Sequence, residues 1–371
     1  MLGTTDPRPT ERQLLSTLTE LLTERLPVDW KVDLEMEPSV PGRRVDGVLT
    51  ITSPDGSLAR LAVETRSSLY PRDAYSLSDQ LGSIWPATPR PPGRIGALPD
   101  YDGVLVMTSF LTPRTQAMLK QVGFSYADAT GNLRISTQRP GLFMEASGAS
   151  ENPWLETRTL RSLKGSGSAR VVRALLDFKP PYTLRNLATR AGLALGTTSR
   201  VLTYLAEEAL ISRNERGSVD DVDISRLLKR WTEDYQVLVS NQAQVFLEPR
   251  GPLEVLSRLR DYTGSYAVTG SGAAIRRAQI ATPALLEIYA DRPNSMAQEL
   301  QLRPTPGGGN VVLLNPVSGL AFERTWSEEG ITYAALSQVA ADLLTSPGRG
   351  PTEADALIEW LETSQDAWRQ S

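Results

Sequence analysis

Leucines recur at helical spacing near the start of the chain, which predicts that the first element is a helix. They are Leu14, Leu15, Leu18, Leu21, Leu22 and Leu26. Thr10 and Gln13 have the spacing of a capping box in front of this helix. Apolar and polar residues then alternate at 32–36, 45–51 and 58–63, which predicts three strands, and Ser53-Pro54-Asp55-Gly56 suits a turn between the last two.

The first segment continues to about residue 135. Its further predicted elements are a helix around 75–84, a Pro-rich loop at 86–99, a buried strand at 103–107, and short strands at 124–127 and 133–135. Thr112 and Pro113 suit the N-cap and first position of one more helix, before the two short strands. This order of helices and strands predicts an α/β domain with a mixed sheet.

A Ser- and Gly-rich, then basic, segment at 146–168 is typical of a linker, and short helices follow it. The predicted helices lie at 169–178, 184–191, 195–209 and around 224–231. Between the second and third, the turn 191–196 contains Gly192 and Gly196 and has the size that helix-turn-helix units use. The polar stretch 212–218 suits the tip of a two-stranded wing.

The last third of the chain alternates strand and helix patterns, which predicts a second α/β unit. Predicted strands lie at 266–269, 285–290 and 311–314, and predicted helices at 271–278, 296–300, 334–344 and 352–363. The expected domains are therefore 1–157, 158–236 and 237–371. A length of 371 residues is compatible with two or three domains.

Composition excludes several classes of chemistry, because the chain has no Cys and no His. Disulfides, thiolate or imidazole zinc sites, Cys nucleophiles and Ser-His triads are all impossible. The first ten residues are polar, and no run of about 18 apolar residues occurs, so neither a signal peptide nor a membrane span is expected. The predicted location is the cytoplasm, in association with the nucleoid.

Charge is distributed unevenly along the chain, although the net charge is only −4. Residues 158–216 carry 11 basic and four acidic side chains, a net charge of +7. Residues 1–157 carry a net charge of −4 and residues 217–371 a net charge of −7. One basic segment between acidic ones indicates that the central module contacts phosphates.

The helix at 195–209 is the predicted recognition helix, because its first turns carry short polar groups and one arginine that suit base edges in a major groove. Candidate DNA contacts are Arg185, Arg190, Thr197, Thr198, Ser199, Arg200, Thr203, Tyr204, Arg213 and Arg216. Arg200, with nearby hydroxyls, is expected to read bases, and the other arginines to hold the backbone. Residues 166–235 resemble the winged helix-turn-helix of bacterial transcription regulators. The alternative is a winged helix used only for protein contacts.

A second candidate site lies on the first-segment hairpin, where Asp46, Glu64 and Arg66 can lie side by side across two strands. Two carboxylates so placed could bind Mg²⁺. Residues 10–145 resemble the PD-(D/E)xK restriction-endonuclease-like fold, with Arg66 where the family has Lys. Because a guanidinium does not readily release a proton, the alternative is a structural ion pair in a domain that does not cut.

The C-terminal segment carries two further resemblances. Gly270-Ser271, followed by Glu287 on a strand, looks like the metal-binding strand of a nucleotidyltransferase fold, but the second carboxylate position is Tyr289. Transfer chemistry is therefore not expected. Residues 166–360, with Asp342 to Gly350 and Glu353-Ala354, are similar to the abortive-infection type IV antitoxin (AbiEi-like) family. That resemblance implies an operon-binding regulator whose companion is a nucleotidyltransferase toxin.

Together these patterns predict a non-catalytic, sequence-specific regulator that binds double-stranded DNA as a homodimer. Short palindromic half-sites need two copies of one recognition helix. One alternative is a Mg²⁺-dependent nuclease that uses Asp46 and Glu64; no cofactor is expected otherwise. The other alternative is an antitoxin whose acidic C-terminal domain binds a protein partner, a nucleotidyltransferase toxin.

Overall fold

The computed structural model describes residues 8–36, 45–81, 101–154, 162–278, 280–305 and 307–371. The chain divides into two compact units, Met1–Thr159 and Leu160–Ser371, and each is described by itself. The predicted Pro-rich loop at 86–99 lies outside the described residues. Within them, no helix combines the length and the apolar character that crossing a membrane requires.

The first unit is a seven-stranded sheet with helices. Its elements are α1 (Glu11–Arg25), β1 (Lys31–Met36), β2 (Gly47–Thr52), β3 (Leu58–Arg66), α2 (Pro71–Leu81), β4 (Gly103–Thr108), α3 (Pro113–Gln121), β5 (Ser125–Asp128), β6 (Leu133–Thr137) and β7 (Leu142–Ala146). The strands lie side by side in chain order. β4 is parallel to β3 and β5, whereas the remaining pairs are antiparallel. The predicted mixed sheet is confirmed, with β7 as an additional strand.

Alternation along β4 explains how the sheet receives helices on both faces. Leu105 and Met107 are buried in one core cluster with the leucines of α1. Val104 and Val106 are buried in another cluster with side chains of α2 and α3. A strand buried on both faces reads as a continuous apolar run, which is how it could be recognised in the sequence.

The second unit begins with four helices and a two-stranded ribbon, called here the central module. Its elements are α4 (Ser166–Asp177), α5 (Leu184–Ala191), α6 (Leu195–Glu207), β8 (Ile211–Arg213), β9 (Val219–Val222) and α7 (Ile224–Thr232). β8 and β9 pair antiparallel. All four predicted helices are confirmed, and β8 and β9 flank the predicted polar tip.

The rest of the second unit is built on a second mixed sheet. Its elements are α8 (Val237–Ser240), β10 (Asn241–Leu247), α9 (Glu254–Leu259), β11 (Tyr266–Thr269), α10 (Gly270–Ala274), β12 (Leu286–Ala290), α11 (Pro293–Glu299), β13 (Arg303–Pro304), β14 (Val311–Pro316), η1 (Gly319–Phe322), β15 (Trp326–Glu328), β16 (Ile331–Tyr333), α12 (Leu336–Thr345), α13 (Gly350–Thr363) and α14 (Gln365–Trp368). The strand order is β13-β10-β14-β12-β11-β16-β15. β12 is parallel to β14 and β11 to β16.

The central module and the C-terminal elements share one hydrophobic core. A single cluster of buried side chains runs from Val171 in α4 through Leu228 in α7 to Val339 in α12 and Leu357 in α13. Both α4 and α7 pack against α12. The domain boundary predicted at residues 236 and 237 therefore falls inside one compact unit.

Candidate nucleic-acid interface

Local signals determine where α5 begins and how the chain turns from α5 into α6. The Thr183 hydroxyl caps α5 by accepting a hydrogen bond from the Asn186 amide at 3.2 Å. Gly192 ends α5 at a φ of 64°, in the left-handed region that favours glycine. The Leu193 amide then donates to the Ala188 carbonyl at 3.0 Å, which closes the turn before α6 begins.

Helix α6 has one buried face and one exposed face. Val201, Leu202 and Leu205 are buried. Arg200 and Thr203 are exposed, and Thr197 and Ser199 are half-buried. The exposed arginine lies along the helix, with its Nε donating to the Gly196 carbonyl at 3.3 Å. The helix predicted to recognise DNA thus presents its polar side chains at the surface.

Thr198 does not belong to that exposed face, which corrects its prediction as a DNA contact. Its side chain is fully buried, and its hydroxyl donates to the Ala194 carbonyl at 3.2 Å. The position is three residues before Val201 and four before Leu202, which places it on the buried face by helical spacing. Thr198 therefore holds the start of α6 against the core.

Tyr204, also predicted as a DNA contact, is half-buried and engaged inside the central module. Its hydroxyl accepts a hydrogen bond from Arg230 Nε at 2.9 Å, and Arg230 also pairs with Asp234 at 2.9 Å. Burial, and then the charge of Glu208, raise the pKa of Tyr204 to about 12. The neutral hydroxyl thus serves as an acceptor that ties α6 to α7.

Two basic side chains of α5 differ in their surroundings. Arg185 is exposed and, with Ala188, Thr189, Gly192, Leu193 and Leu195, lines an open groove of about 370 Å³. Arg190 is half-buried, and its guanidinium lies 4.2 Å from the centre of the Phe178 ring. Leu195, which no sequence pattern singled out, is 46% exposed at the first position of α6.

The ribbon carries Arg213 and Arg216, both exposed as predicted. Gly217 turns the chain at a φ of 79°, and its carbonyl accepts a hydrogen bond from Arg213 Nε at 3.0 Å. Exposed acidic groups occur next to the arginines, at Asp220 and Asp221 on β9. The ribbon therefore presents arginines and carboxylates together, including the exposed Glu215 between Arg213 and Arg216.

A buried arginine joins the central module to the C-terminal elements. Arg173 in α4 is fully buried. Its guanidinium donates to Asp177 at 3.0 Å, to Gln338 of α12 at 2.9 Å and to the Glu323 carbonyl at 3.1 Å. Arg324 also donates to the Asp177 carboxylate, at 2.5 Å. These bonds fix α4 against α12; sequence patterns did not identify Arg173, and its spacing of four residues from Asp177 in an apolar helix could indicate only their own pairing.

The first-unit candidates lie close together in the fold but have different bonding partners. Glu64 and Arg66 form an ion pair at 2.6 Å. Asp46 instead accepts hydrogen bonds from the amide and hydroxyl of Thr65, at 2.7 and 2.8 Å. Among the described residues, no group of three acidic side chains is placed to hold a metal ion. The arrangement matches the structural ion pair foreseen as an alternative, with Asp46 outside it.

The C-terminal motifs converge on a buried polar cluster. Asp342 is fully buried and accepts hydrogen bonds from Tyr235 at 2.6 Å, Thr269 at 2.5 Å and Tyr289 at 2.9 Å. Burial raises its pKa. The Tyr289 hydroxyl, at the position where the sequence lacks a second carboxylate, is thus a hydrogen-bond donor to Asp342.

Glu287 lies beside this cluster and is almost fully buried. Its carboxyl accepts a hydrogen bond from the Ser346 hydroxyl at 3.1 Å. Burial, and then the charge of Asp342, raise the pKa of Glu287 to about 7. Gly270 approaches it so closely that a Cβ there would come 2.0 Å from a Glu287 oxygen, which explains the glycine in the Gly270-Ser271 turn.

Comparison with known proteins bears on the C-terminal half. No curated protein and no solved structure matches the chain. A family model described as "Transcriptional regulator, AbiEi antitoxin, Type IV TA system" matches residues 222–361, from the last ribbon strand to α13. The match includes α7 and the buried polar cluster but not α5 or α6, and it confirms the AbiEi-like resemblance over that range. Over these 140 of its 371 residues, the chain is similar to a family of transcriptional regulators and antitoxins of type IV toxin–antitoxin systems.

Proposed function

We propose that the protein is a sequence-specific transcriptional regulator that binds double-stranded DNA through a winged helix-turn-helix, its central module. The observation that carries this proposal is the exposed face of α6, where Arg200 and Thr203 meet solvent. The net charge of +7 over residues 158–216 supports a phosphate partner. The regulator family that matches residues 222–361 supports the same function, and DNA binding implies association with the nucleoid.

In this proposal, α6 enters the major groove and contacts base edges through Arg200, Thr197, Ser199 and Thr203. Arg185 and Arg190 from α5, and Arg213 and Arg216 from the wing, contact the DNA backbone. Backbone contacts hold the module in register but carry no sequence information. Specificity is therefore assigned to the first turns of α6.

The test is selection of binding sites from random double-stranded DNA with the full chain, followed by titration of the selected site. Arg200→Ala is expected to lower specific affinity by about 1–3 kcal/mol while retaining most nonspecific binding. The matched control is Arg226→Ala, which removes a half-buried arginine of α7 that pairs with Asp223. Equal loss on all sequences would reassign Arg200 to the backbone, and failure to select any site would overturn the proposal.

We also propose that the regulator is a homodimer, and strand β10 offers a surface for it. β10 pairs with β14 on one side, whereas on the other β13 covers only Phe246 and Leu247. Val239 and Val317, near the adjoining ends of β10 and β14, are 80% and 82% exposed. Residues 235–247 and 311–317 contain no charged side chain, so a second copy aligned antiparallel would meet no like charge there.

An antitoxin role is the second candidate, and the family match favours it. Residues 217–371 carry 13 basic and 20 acidic side chains, which suits a basic protein partner. If the gene is adjacent to one that encodes a nucleotidyltransferase, co-expression should relieve toxicity and the two proteins should co-purify. Relief of toxicity by transcriptional repression alone, without co-purification, would leave the regulator and remove the protein-binding antitoxin.

The nuclease alternative would use Asp46 and Glu64 to hold Mg²⁺. The observed arrangement does not fit it well, because Glu64 is paired with Arg66 and Asp46 is bonded to Thr65. Incubation of plasmid DNA with the purified protein and Mg²⁺ or Mn²⁺ tests it directly. Nicking that disappears in Glu64→Ala would establish the nuclease, and the regulator proposal expects intact plasmid.

A further inference from the structure

An apolar strip interrupts the polar, basic surface at the start of α6. It consists of residues 193–196, with the sequence Leu-Ala-Leu-Gly. Leu193 packs against the core, whereas Ala194 is exposed and Leu195 is 46% exposed. The groove that Leu193 and Leu195 line also includes Arg185 and Thr189. The strip therefore lies beside groups already proposed to contact DNA.

The start of a helix is an unusual place for this strip. Ser, Thr, Asp and Asn are strongly preferred at the N-cap, because their side chains accept a hydrogen bond from a free backbone amide. Here the N-cap is Ala194, and no side-chain cap bond is present. Local stability would favour a polar residue at position 194, so helix capping does not explain Ala194, and core packing accounts for Leu193 but not for the exposed part of Leu195.

Position on α6 indicates what the strip meets. The N-terminal residues of a recognition helix contact base edges, and Leu195 is four residues before Ser199, one turn along the same side. Gly196 adds no side chain, and a Cβ built there has no atom within 4 Å, so the backbone is open to close approach. The C5-methyl group of thymine is the apolar feature of the major-groove edge.

We propose that Leu195 is a specificity-determining residue that contacts the C5-methyl group of a thymine in the recognised DNA. The proposal rests on the DNA-binding function proposed above. Arg200 lies back along the helix toward Gly196, so the thymine is expected close to the base pair that this arginine reads. Removing one methyl group from an apolar contact should weaken binding by about fourfold, from roughly 0.8 kcal/mol for each buried carbon.

The experiment uses the full chain and its selected site, with deoxyuridine replacing each thymine in turn. Deoxyuridine lacks only the methyl group and keeps the hydrogen-bonding edge. In each half-site, replacement of one particular thymine should weaken binding of the wild type by about fourfold. For Leu195→Ala, the same replacement should have no effect. Leu253→Ala removes a leucine that is 37% exposed in the C-terminal part, so it serves as the matched control and should behave as the wild type does.

The outcomes separate the two proposals. If no DNA sequence is selected, the DNA-binding function fails and the role of Leu195 fails with it. If a site is bound but no deoxyuridine weakens it, or if Leu195→Ala responds to deoxyuridine as the wild type does, only the role of Leu195 is overturned. Equal thermal midpoints for both leucine variants and the wild type establish that folding is not the cause.

Discussion

Replacement of the buried arginine of α4, Arg173, tests whether the central module unfolds alone or together with the C-terminal elements. Replacing Arg173 with Ala removes hydrogen bonds to Asp177, Gln338 and the carbonyls of Leu320 and Glu323. Loss of one partner from a buried ion pair costs about 3–5 kcal/mol. Because Arg324 still pairs with Asp177, we expect the lower end, about 3 kcal/mol.

Hydrogen exchange of the full chain, followed by mass spectrometry of peptides, measures this effect in each region. A loss of about 3 kcal/mol corresponds to roughly 100-fold faster exchange of amides that open with the whole unit. Peptides of α4–α6 and of α12 should both show this acceleration, because Arg173 joins the two parts of one core.

The control is Arg170→Ala, on the same helix. Arg170 pairs with Glu323 at 2.8 Å, but both side chains are about one-third exposed, so the expected cost is about 0–1 kcal/mol. Faster exchange confined to α4–α6, with α12 unchanged, would refute the shared unit. An equal effect of Arg170→Ala and Arg173→Ala would refute burial as the origin of the energy.

Three further predictions concern pH, salt and assembly. The pKa of Glu287 is raised from 4.5 to about 7, so its neutral form stabilises the fold at low pH and this contribution is lost as pH rises through 7. In urea titrations, the free energy of unfolding of Glu287→Gln minus that of the wild type should therefore be larger at pH 8 than at pH 5, by up to about 3 kcal/mol. The same difference at both pH values would contradict this prediction. Replacing both Arg213 and Arg216 with Ala should reduce the magnitude of the slope of log affinity against log salt concentration by about 2. An unchanged slope would show that these two arginines do not contact DNA phosphates. The double variant Val239→Lys with Val317→Lys should sediment as a monomer. The control Val28→Lys, at a fully exposed valine of the first unit, should remain a dimer. A wild type that sediments as a monomer would overturn the proposed homodimer.

Elements with local signals could be predicted closely from the sequence. The bounds of α5, Leu184 and Ala191, were predicted correctly because Thr183 and Gly192 directly flank the helix and have the side chains typical of helix caps. Strand β10 was not predicted; Asn241–Leu247 lies next to the two-residue edge strand β13 and has polar and apolar residues exposed on both faces. Polar and apolar residues alternate there only from Gln242 to Val245, which is the shortest run that indicates a strand.

Candidate-site residues divide in the same way. Arg200 was predicted on the outer face of the helix and is exposed, since its position follows from the period of one helix. Thr198 and Tyr204 differed, because their surroundings include the core and Arg230, 26 residues away from Tyr204 along the chain. Strand alternation placed Glu64 and Arg66 on one face, and they do pair, whereas the bonding of Asp46 to Thr65, 19 residues away, required the folded structure.

The sequence by itself determined the secondary structure of the helix-turn-helix, the basic character of residues 158–216 and the absence of thiol and imidazole chemistry. These properties depend on composition or on residues within one or two helical turns of each other. Only the tertiary structure decided that the central module and the C-terminal elements form one unit. That depends on contacts such as Arg173 with Gln338, 165 residues apart, and hydrophobic periodicity does not specify which distant apolar faces meet.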